Sequence, residues 1–227
     1  MKFQTSHVRH IRLILLLVFV SDLLIGQEQR PPFWNDIREF NKQDSIQPPP
    51  KHAILFVGSS SFTKWTDVQS YFSSYTIINR GFGGSSLTDL IRYRDDVILK
   101  YAPKQIVIYC GENDLAASDT VTAEMVYKRF TTLFALIRKG LPGVPIVFIS
   151  LKPSPSRWHL RQKMMTANDR IKNFLSGQKK TAFIDVYHEM LGSNDLPLRE
   201  IYLEDSLHMN SKGYAIWKKA IEPELLK

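Results

Sequence analysis

The sequence predicts an α/β fold, a three-layer α/β/α sandwich with a five-stranded parallel sheet. The first indication is a series of short apolar runs rich in β-branched residues: "AILFV", "YTIIN", "QIVIYC", "PIVFISL" and "TAFIDV". Continuous apolar runs of this length are typical of parallel strands that are buried on both faces. The second indication is that segments with helical spacing separate these runs, so that strand and helix alternate along the chain.

The predicted helices are defined by apolar residues at intervals of three and four positions. In chain order the sets are Leu87, Leu90, Ile91, Val97 and Ile98; Met125, Phe130, Leu133, Phe134 and Ile137; Leu160, Met164, Ile171, Phe174 and Leu175; and Tyr214, Trp217, Ile221 and Leu225. Their ends carry the expected signals. Ser86 and Asp89 have the spacing of a capping box, and Gly140 and Gly177 lie where C-caps are expected.

Residues 1–26 predict a secretory signal peptide. Basic residues at Lys2, Arg9 and Arg12 precede a short apolar stretch, and polarity returns from residue 27. The stretch is shorter than the roughly 20 apolar residues that a membrane span needs. Cleavage after Gly26 would leave the large Leu24 at the −3 position, so an uncleaved N-terminal anchor is the alternative. We therefore expect a secreted or periplasmic protein, without stable membrane insertion unless this leader stays uncleaved.

Residues 27–51 contain five prolines and predict an extended leader, with a short helix around 35–43. The regular alternation begins at Ala53. The domain is therefore expected over residues 52–227, which is long enough for one well-buried core and short for two.

Composition and charge exclude several classes of protein. The chain is 44% hydrophobic and 23% charged, as is ordinary for a soluble globular protein. Its formal charge of +8 would fall to +6 without residues 1–26, and the basic residues are scattered along helical segments without a nucleic-acid-binding motif. No nucleic-acid partner is predicted. Cys110 is the only cysteine, so no intramolecular disulfide can form, and its apolar strand predicts a buried, inert thiol.

Four polar or glycine-rich groups follow predicted strands or precede the last helix. They are "GSSS" at 58–61, "NRGFGGSS" at 79–86, "GENDLA" at 111–116 and "EDSLHMNSKGYAIW" at 204–217. Ligands of parallel α/β folds bind beyond the carboxyl ends of the strands, which is where these groups are expected. Each group alone has a simpler interpretation as a helix cap, a tight turn or a structural histidine.

Together the four groups supply the parts of an acyl-transfer site. A serine at a strand-to-helix turn is a candidate nucleophile, close to backbone amides that favour negative charge. Gly84 has no side chain to keep a substrate from its N–H, and Asn113 offers an amide NH₂ as a neutral donor. Asp205 lies three residues before His208, so its carboxylate can orient the His208 imidazole toward the serine. At this point Ser59, Ser60 and Ser61 all remain candidates.

This set, in this order, resembles the SGNH hydrolases, the GDSL-type esterase and lipase superfamily, over roughly residues 53–225. The resemblance implies a flavodoxin-like fold and a Ser-His-Asp relay of Ser60, His208 and Asp205. It also implies an oxyanion hole formed by the amides of Ser60 and Gly84 and the side chain of Asn113. Ser61 is the second candidate for the nucleophile.

Two positions depart from the family pattern. Ser59 replaces the aspartate of the family's GDS block, and Ser85 follows Gly84 where many relatives have an acidic residue. The replaced aspartate is not part of the relay, so activity need not be lost. Related bacterial sequences of the "GSSS" type share the first change. The sequence therefore resembles an acetylhydrolase-like subgroup.

The predicted function is that of a secreted serine esterase that cleaves short-chain esters, acetyl above all, of a carbohydrate or lipid-like alcohol. The strand-to-helix connections are short, and the longest irregular stretch, "LKPSPSRWHL", is polar with one aromatic residue. No cofactor or metal is expected, because the histidines lack ligand spacing. The alternative is a catalytically silent carbohydrate- or lipid-binding module on the same fold, which a fluorophosphonate probe would not label.

Overall fold

The computed structural model describes residues 30–227, and its centre is a five-stranded, all-parallel sheet. The strands are β1 Ile54–Gly58, β2 Ile77–Gly81, β3 Gln105–Tyr109, β4 Ile146–Ile149 and β5 Thr181–Ile184. Their order is β2-β1-β3-β4-β5. This confirms the predicted α/β class and sheet. The order reverses beside β1, and in such sheets ligands bind at this switch point, outside the carboxyl ends of the strands.

Helices connect the strands. The α-helices are α1 Trp34–Ile46, α2 Ser60–Thr63, α3 Val68–Tyr71, α4 Leu87–Arg92, α5 Arg94–Val97, α6 Glu112–Ala116, α7 Ala123–Gly140, α8 Arg161–Ser176 and α9 Ser211–Ile221. Short 3₁₀ turns span Leu99–Tyr101, Pro155–Leu160, His188–Met190, Arg199–Ile201 and Glu222–Glu224. The first predicted helical set is thus divided into α4 and α5, which meet at Tyr93.

The helix ends agree with the sequence except at one glycine. Ser86 and Asp89 form the predicted capping box, and Gly177 is the C-cap of α8. Gly140 instead is the last residue of α7, and Leu141 is the C-cap. A Cβ at Gly140 would lie 2.7 Å from the side chain of Leu99. The glycine therefore permits close packing there rather than ending the helix.

The core explains why the strands are so apolar. Every residue of β1, β3 and β4 is buried, whereas the edge strands β2 and β5 are partly exposed. On one face the side chains of α2 and its neighbours pack against α9. Trp65 stacks on Tyr214 with ring centroids 4.6 Å apart, and Phe62 contacts Trp217 edge-on at 6.0 Å. These contacts hold the start of α2 against α9. Cys110 is fully buried, as predicted.

Helix α1, from the predicted leader, is anchored to the domain by Asp44. This carboxylate pairs with Arg80, accepts a hydrogen bond from the Tyr101 hydroxyl at 2.7 Å and lies 2.6 Å from Lys100 Nζ. Burial opposes ionisation of Asp44, but these three partners outweigh it and hold its pKa below the usual value. Residues from Asn35 onward form one compact unit.

The predicted signal peptide, residues 1–26, lies outside the described residues. Among the helices of residues 30–227, none has the length and apolar character required to cross a membrane.

Candidate active site

The turn after β1 distinguishes the three serines by burial. Gly58 has φ +151°, and a Cβ there would lie 1.9 Å from the carbonyl oxygen of Tyr109 on the paired strand β3, so the end of β1 requires glycine. The Ser59 N–H donates to that same oxygen at 3.1 Å, and α2 begins at Ser60. Ser59 and Ser61 are only 3% and 2% exposed, whereas Ser60 is partly exposed. Ser60 is therefore the one serine of this turn that is accessible to solvent.

The glycine-rich loop after β2 lies beside Ser60. A Cβ at Gly83 would be 3.9 Å from the Cβ of Ser60. Gly84 is exposed and has φ +86°, a left-handed conformation that favours glycine. The loop thus places the backbone of Gly83 and Gly84, which has no side chains, next to Ser60.

Asn113, on α6 after β3, has a fixed side-chain orientation. Its Nδ2 donates to the Ser85 carbonyl at 2.9 Å, and its Oδ1 accepts from Arg157 Nη2 at 2.9 Å. An amide NH₂ has two hydrogens, so one remains after the bond to Ser85. The neighbouring Asp114 has a different role, because its carboxylate accepts the backbone N–H of Leu87, the first residue of α4, at 2.9 Å.

Asp205 and His208 form a close pair in the turn before α9. Asp205 Oδ2 lies 2.5 Å from His208 Nδ1, while Oδ1 accepts the backbone N–H groups of Leu207 and His208 at 3.0 and 2.9 Å. Burial opposes ionisation of Asp205, but the hydrogen bonds from His208 and Leu207 lower its pKa to about 2. The pairing of Nδ1 leaves Nε2 as the ring nitrogen available to other groups.

A series of contacts brings these groups to one edge of the sheet. Asn113 is bonded to the loop after β2 through Ser85, and to the Pro155–Leu160 turn through Arg157. The Ser156 N–H of that turn donates to the Ser206 carbonyl at 3.1 Å, within the Asp205–His208 turn. The helix after the Asp205–His208 turn, α9, is in turn bonded to α2, because the Tyr214 hydroxyl donates to the Ser61 carbonyl at 2.8 Å.

A hydrogen bond between Ser60 and His208 is not formed. Within residues 30–227, the Ser60 hydroxyl has no hydrogen-bond partner, and the imidazole is paired only with Asp205. Hydrogen bonds of this kind are often long in enzymes without substrate and shorten in the complex. The structure therefore brings together the elements that carry Ser60 and His208 without a hydrogen bond between the two side chains.

The structure also contains a buried ionic network that the sequence did not reveal. Glu112 accepts hydrogen bonds from Lys152 Nζ at 2.8 Å and the Tyr109 hydroxyl at 2.5 Å, and it pairs with Arg157 Nη1 at 3.2 Å. The side chains of Glu112 and Lys152 are 4% and 2% exposed. Burial opposes ionisation of Glu112, but Lys152 and Arg157 together hold its pKa below the usual value. In the sequence, Glu112 and Lys152 look like ordinary loop residues, each three positions after the end of a buried strand.

A second aspartate–histidine pair shows how weak this spacing is by itself. Asp185 and His188, after β5, are also three residues apart, with Oδ2 and Nδ1 separated by 2.7 Å. The His188 side chain is 69% exposed, compared with 15% for His208. Across the described part of the chain, no group of three or more His, Cys, Asp or Glu side chains is arranged to hold a metal ion.

Comparison with known proteins gives a family match. Residues 53–216 match the model of the GDSL-like lipase/acylhydrolase family. No curated protein sequence matches the chain.

Solved structures with a similar fold include three bacterial proteins. A protein from Streptococcus pneumonia, described as a proposed platelet activating factor, is 21% identical with a TM-score of 0.72, covering 94% of this chain and 99% of its own. A proposed acylhydrolase from Bacteroides fragilis is 24% identical with a TM-score of 0.71, covering 84% and 95%. A catalytic mutant of an acetylxylan esterase from Geobacillus stearothermophilus is 14% identical with a TM-score of 0.61, covering 78% and 94%. At these identities the likeness shows the fold.

Proposed function

The chain belongs to the GDSL-like lipase/acylhydrolase family and is a carboxylic ester hydrolase, and we propose that Ser60, His208 and Asp205 form its catalytic relay. The observation that carries this proposal is the 2.5 Å Asp205–His208 pair, in a turn tied by neighbouring contacts to the elements that carry Ser60 and Asn113. Ser60 is chosen over its two neighbours because they are buried.

In the proposed mechanism, His208 removes the proton of Ser60 through Nε2 while Asp205 holds Nδ1–H. The Ser60 oxygen attacks the ester carbonyl, and the tetrahedral intermediate places its negative charge on the former carbonyl oxygen. The backbone N–H groups of Ser60 and Gly84 and the Asn113 NH₂ donate to this oxyanion. His208 then gives its proton to the departing alcohol, which leaves an acyl group on Ser60.

Deacylation repeats these steps with water. His208 removes a proton from the water as it attacks the acyl-enzyme, and the acid is released as Ser60 regains a proton. Asp205, whose pKa is about 2, stays ionised at neutral pH and can stabilise the imidazolium that forms in each half-reaction.

For the substrate, we propose short-chain esters, especially acetyl esters, of a carbohydrate or another polar alcohol. The Pro155–Leu160 turn, which contacts Asn113 through Arg157, also carries Trp158 and His159. Trp158 is partly exposed, and an aromatic face with polar neighbours suits a sugar better than a fatty chain. The fold likeness to an acetylxylan esterase agrees with this class. The basic residues and the short apolar stretch that follows them within residues 1–26 support export of the protein.

The experiment is fluorophosphonate labelling together with hydrolysis of p-nitrophenyl acetate by Ser60→Ala. We expect loss of both labelling and activity, while Ser59→Ala and Ser61→Ala, as matched controls, are still labelled and at least partly active. Full activity in Ser60→Ala would overturn the relay. Absence of labelling in the folded unmodified protein would favour the silent binding module.

A further inference from the structure

We propose that Arg157 is a positioning residue that fixes and polarises Asn113 as an oxyanion donor, and that the buried Glu112–Lys152 pair holds Arg157 in place. This inference rests on the proposed function, because it assigns a support to one of its oxyanion donors. It goes further in naming a charged network, outside the four family blocks except for Glu112, that acts on the reaction through Asn113.

The first argument is the orientation of the amide. The two ends of a carboxamide have nearly the same shape, so hydrogen bonds decide which end faces the substrate. Arg157 Nη2 donates to Asn113 Oδ1, and the Ser85 carbonyl accepts from Nδ2, both at 2.9 Å. In the flipped orientation the NH₂ would face a guanidinium and the oxygen would face a carbonyl. Arg157 and Ser85 therefore stabilise the orientation that leaves one amide hydrogen for the oxyanion.

The second argument is charge. With Glu112 ionised, the group formed by Glu112, Lys152 and Arg157 has two positive charges and one negative charge. The guanidinium contacts the oxygen of Asn113, so it draws electron density toward that end and strengthens the amide hydrogens as donors. The Arg157 side chain is 19% exposed, so solvent only partly screens this effect. The net positive charge and the stronger amide donors both favour an anionic transition state over a neutral substrate.

The third argument is that Arg157 is itself held in place by the buried Glu112 carboxylate. Glu112 Oε1 pairs with Nη1 at 3.2 Å, and Glu112 is fixed in turn by Lys152 Nζ at 2.8 Å. A planar guanidinium can donate to a carboxylate and an amide at once, which a lysine ammonium on a flexible stem reproduces poorly. Because the Arg157 guanidinium contacts both Glu112 and Asn113, the buried ion pair fixes the position of the Asn113 side chain.

The experiment is a double-mutant cycle of Arg157→Met and Asn113→Ala, with kcat and KM measured on p-nitrophenyl acetate. We expect Arg157→Met to lower kcat by about 10- to 100-fold, less than the roughly 10²- to 10³-fold loss of one whole oxyanion donor, and to change KM little. In the Asn113→Ala background the same substitution should change kcat less than about twofold, because its target is gone.

Two further variants act as controls. Arg157→Lys should recover only part of the activity, because it restores charge without the fork. Arg138→Met removes another partly buried arginine, one that donates to the backbone carbonyls of Val144 and Lys179, and should leave kcat unchanged. If Arg157→Met does not fold, as judged by circular dichroism, Arg157→Lys and Arg157→Gln provide the cycle.

A second readout uses a trifluoromethyl ketone, which adds to the nucleophilic serine as an anionic hemiketal. Its inhibition constant should rise in Arg157→Met by the same factor as kcat/KM falls. Equal losses from Arg157→Met with and without Asn113, or an effect on KM alone, would overturn the inference. Full activity of Asn113→Ala would instead contradict the oxyanion assignment of the proposed function. The two failures are therefore distinguishable.

Discussion

Replacing Glu112 by glutamine should destabilise the protein strongly, although the two side chains have almost the same shape. The substitution removes the negative charge that pairs with Lys152, whose side chain is only 2% exposed. Arg157 also loses its partner, but at 19% exposure it can move toward solvent. The main cost is therefore that of one buried, uncompensated ammonium group.

The expected magnitude follows from this geometry. Breaking a buried pair by removing one partner typically costs about 3–5 kcal/mol, because the remaining charge stays desolvated. In a domain of roughly 200 residues, each kcal/mol lowers Tm by about 2–4 °C, so the variant should melt about 6–20 °C below the unmodified protein. The double variant Glu112→Gln with Lys152→Met should recover much of this loss, because it removes the unpaired charge as well.

The assay is urea unfolding at several pH values, with Glu124→Gln as the control. Glu124 pairs with Arg170 and Lys128 at the surface, so its loss should cost less than about 1 kcal/mol. The pKa of Glu112 is lower in the folded than in the unfolded chain, where it is about 4.3. Its stabilising contribution is thus complete above that unfolded value and is lost as the pH falls through the folded one.

The difference in unfolding free energy between the unmodified protein and Glu112→Gln should therefore be constant from neutral pH to about pH 5 and shrink at lower pH. A difference below about 1 kcal/mol at pH 7 would refute the reasoning. So would a difference that grows as the pH falls, because the carboxylate would then be unpaired in the folded state.

The remaining predictions concern the proposed reaction. His208→Ala should reduce kcat nearly as much as Ser60→Ala, and the double variant should lose little more; additive losses in steady-state kinetics would place His208 outside the relay. Asp205→Asn should lower kcat by about 10³- to 10⁴-fold, as expected for a wrongly oriented imidazole, with unchanged circular dichroism; a loss below about tenfold would argue against an orienting role. For p-nitrophenyl esters from acetate to decanoate, kcat/KM should be highest at acetate, and a maximum at octanoate or decanoate would contradict the short-acyl proposal.

The fold was predictable because its signals are local. Strands in the interior of a parallel sheet need continuous apolar runs, and the five short runs correspond to the five parallel strands. The capping box at Ser86 and Asp89 is likewise decided within four residues. Gly140 was misread because its role depends on Leu99, which is distant in sequence and packs against it only in the folded state. The anchoring of α1 through Asp44 to Arg80 and Tyr101 depends on tertiary contacts of the same kind.

The site was predictable only in part. Parallel strands end at the same edge of the sheet, so residues that follow different strands could be expected to lie near one another. The choice of Ser60 came from resemblance, and the burial of Ser59 and Ser61 now gives it an independent physical reason. The Glu112–Lys152 pair could not be predicted, because it joins residues that follow β3 and β4 and are 40 positions apart. A buried lysine looks like any loop lysine in the sequence.

The two departures from the family pattern, Ser59 and Ser85, each have a structural role that leaves the proposed relay complete. Ser59 acts through its backbone: its N–H donates to Tyr109 and its carbonyl accepts from Phe62 at 3.0 Å. Ser85 donates from its hydroxyl to the Gly58 carbonyl at 3.2 Å, and its own carbonyl accepts from Asn113. A carboxylate at position 85 would place negative charge close to Asn113, one of the proposed oxyanion donors. The neutral Ser85 places no such charge there, which favours an anionic intermediate and weakens the argument for a silent module.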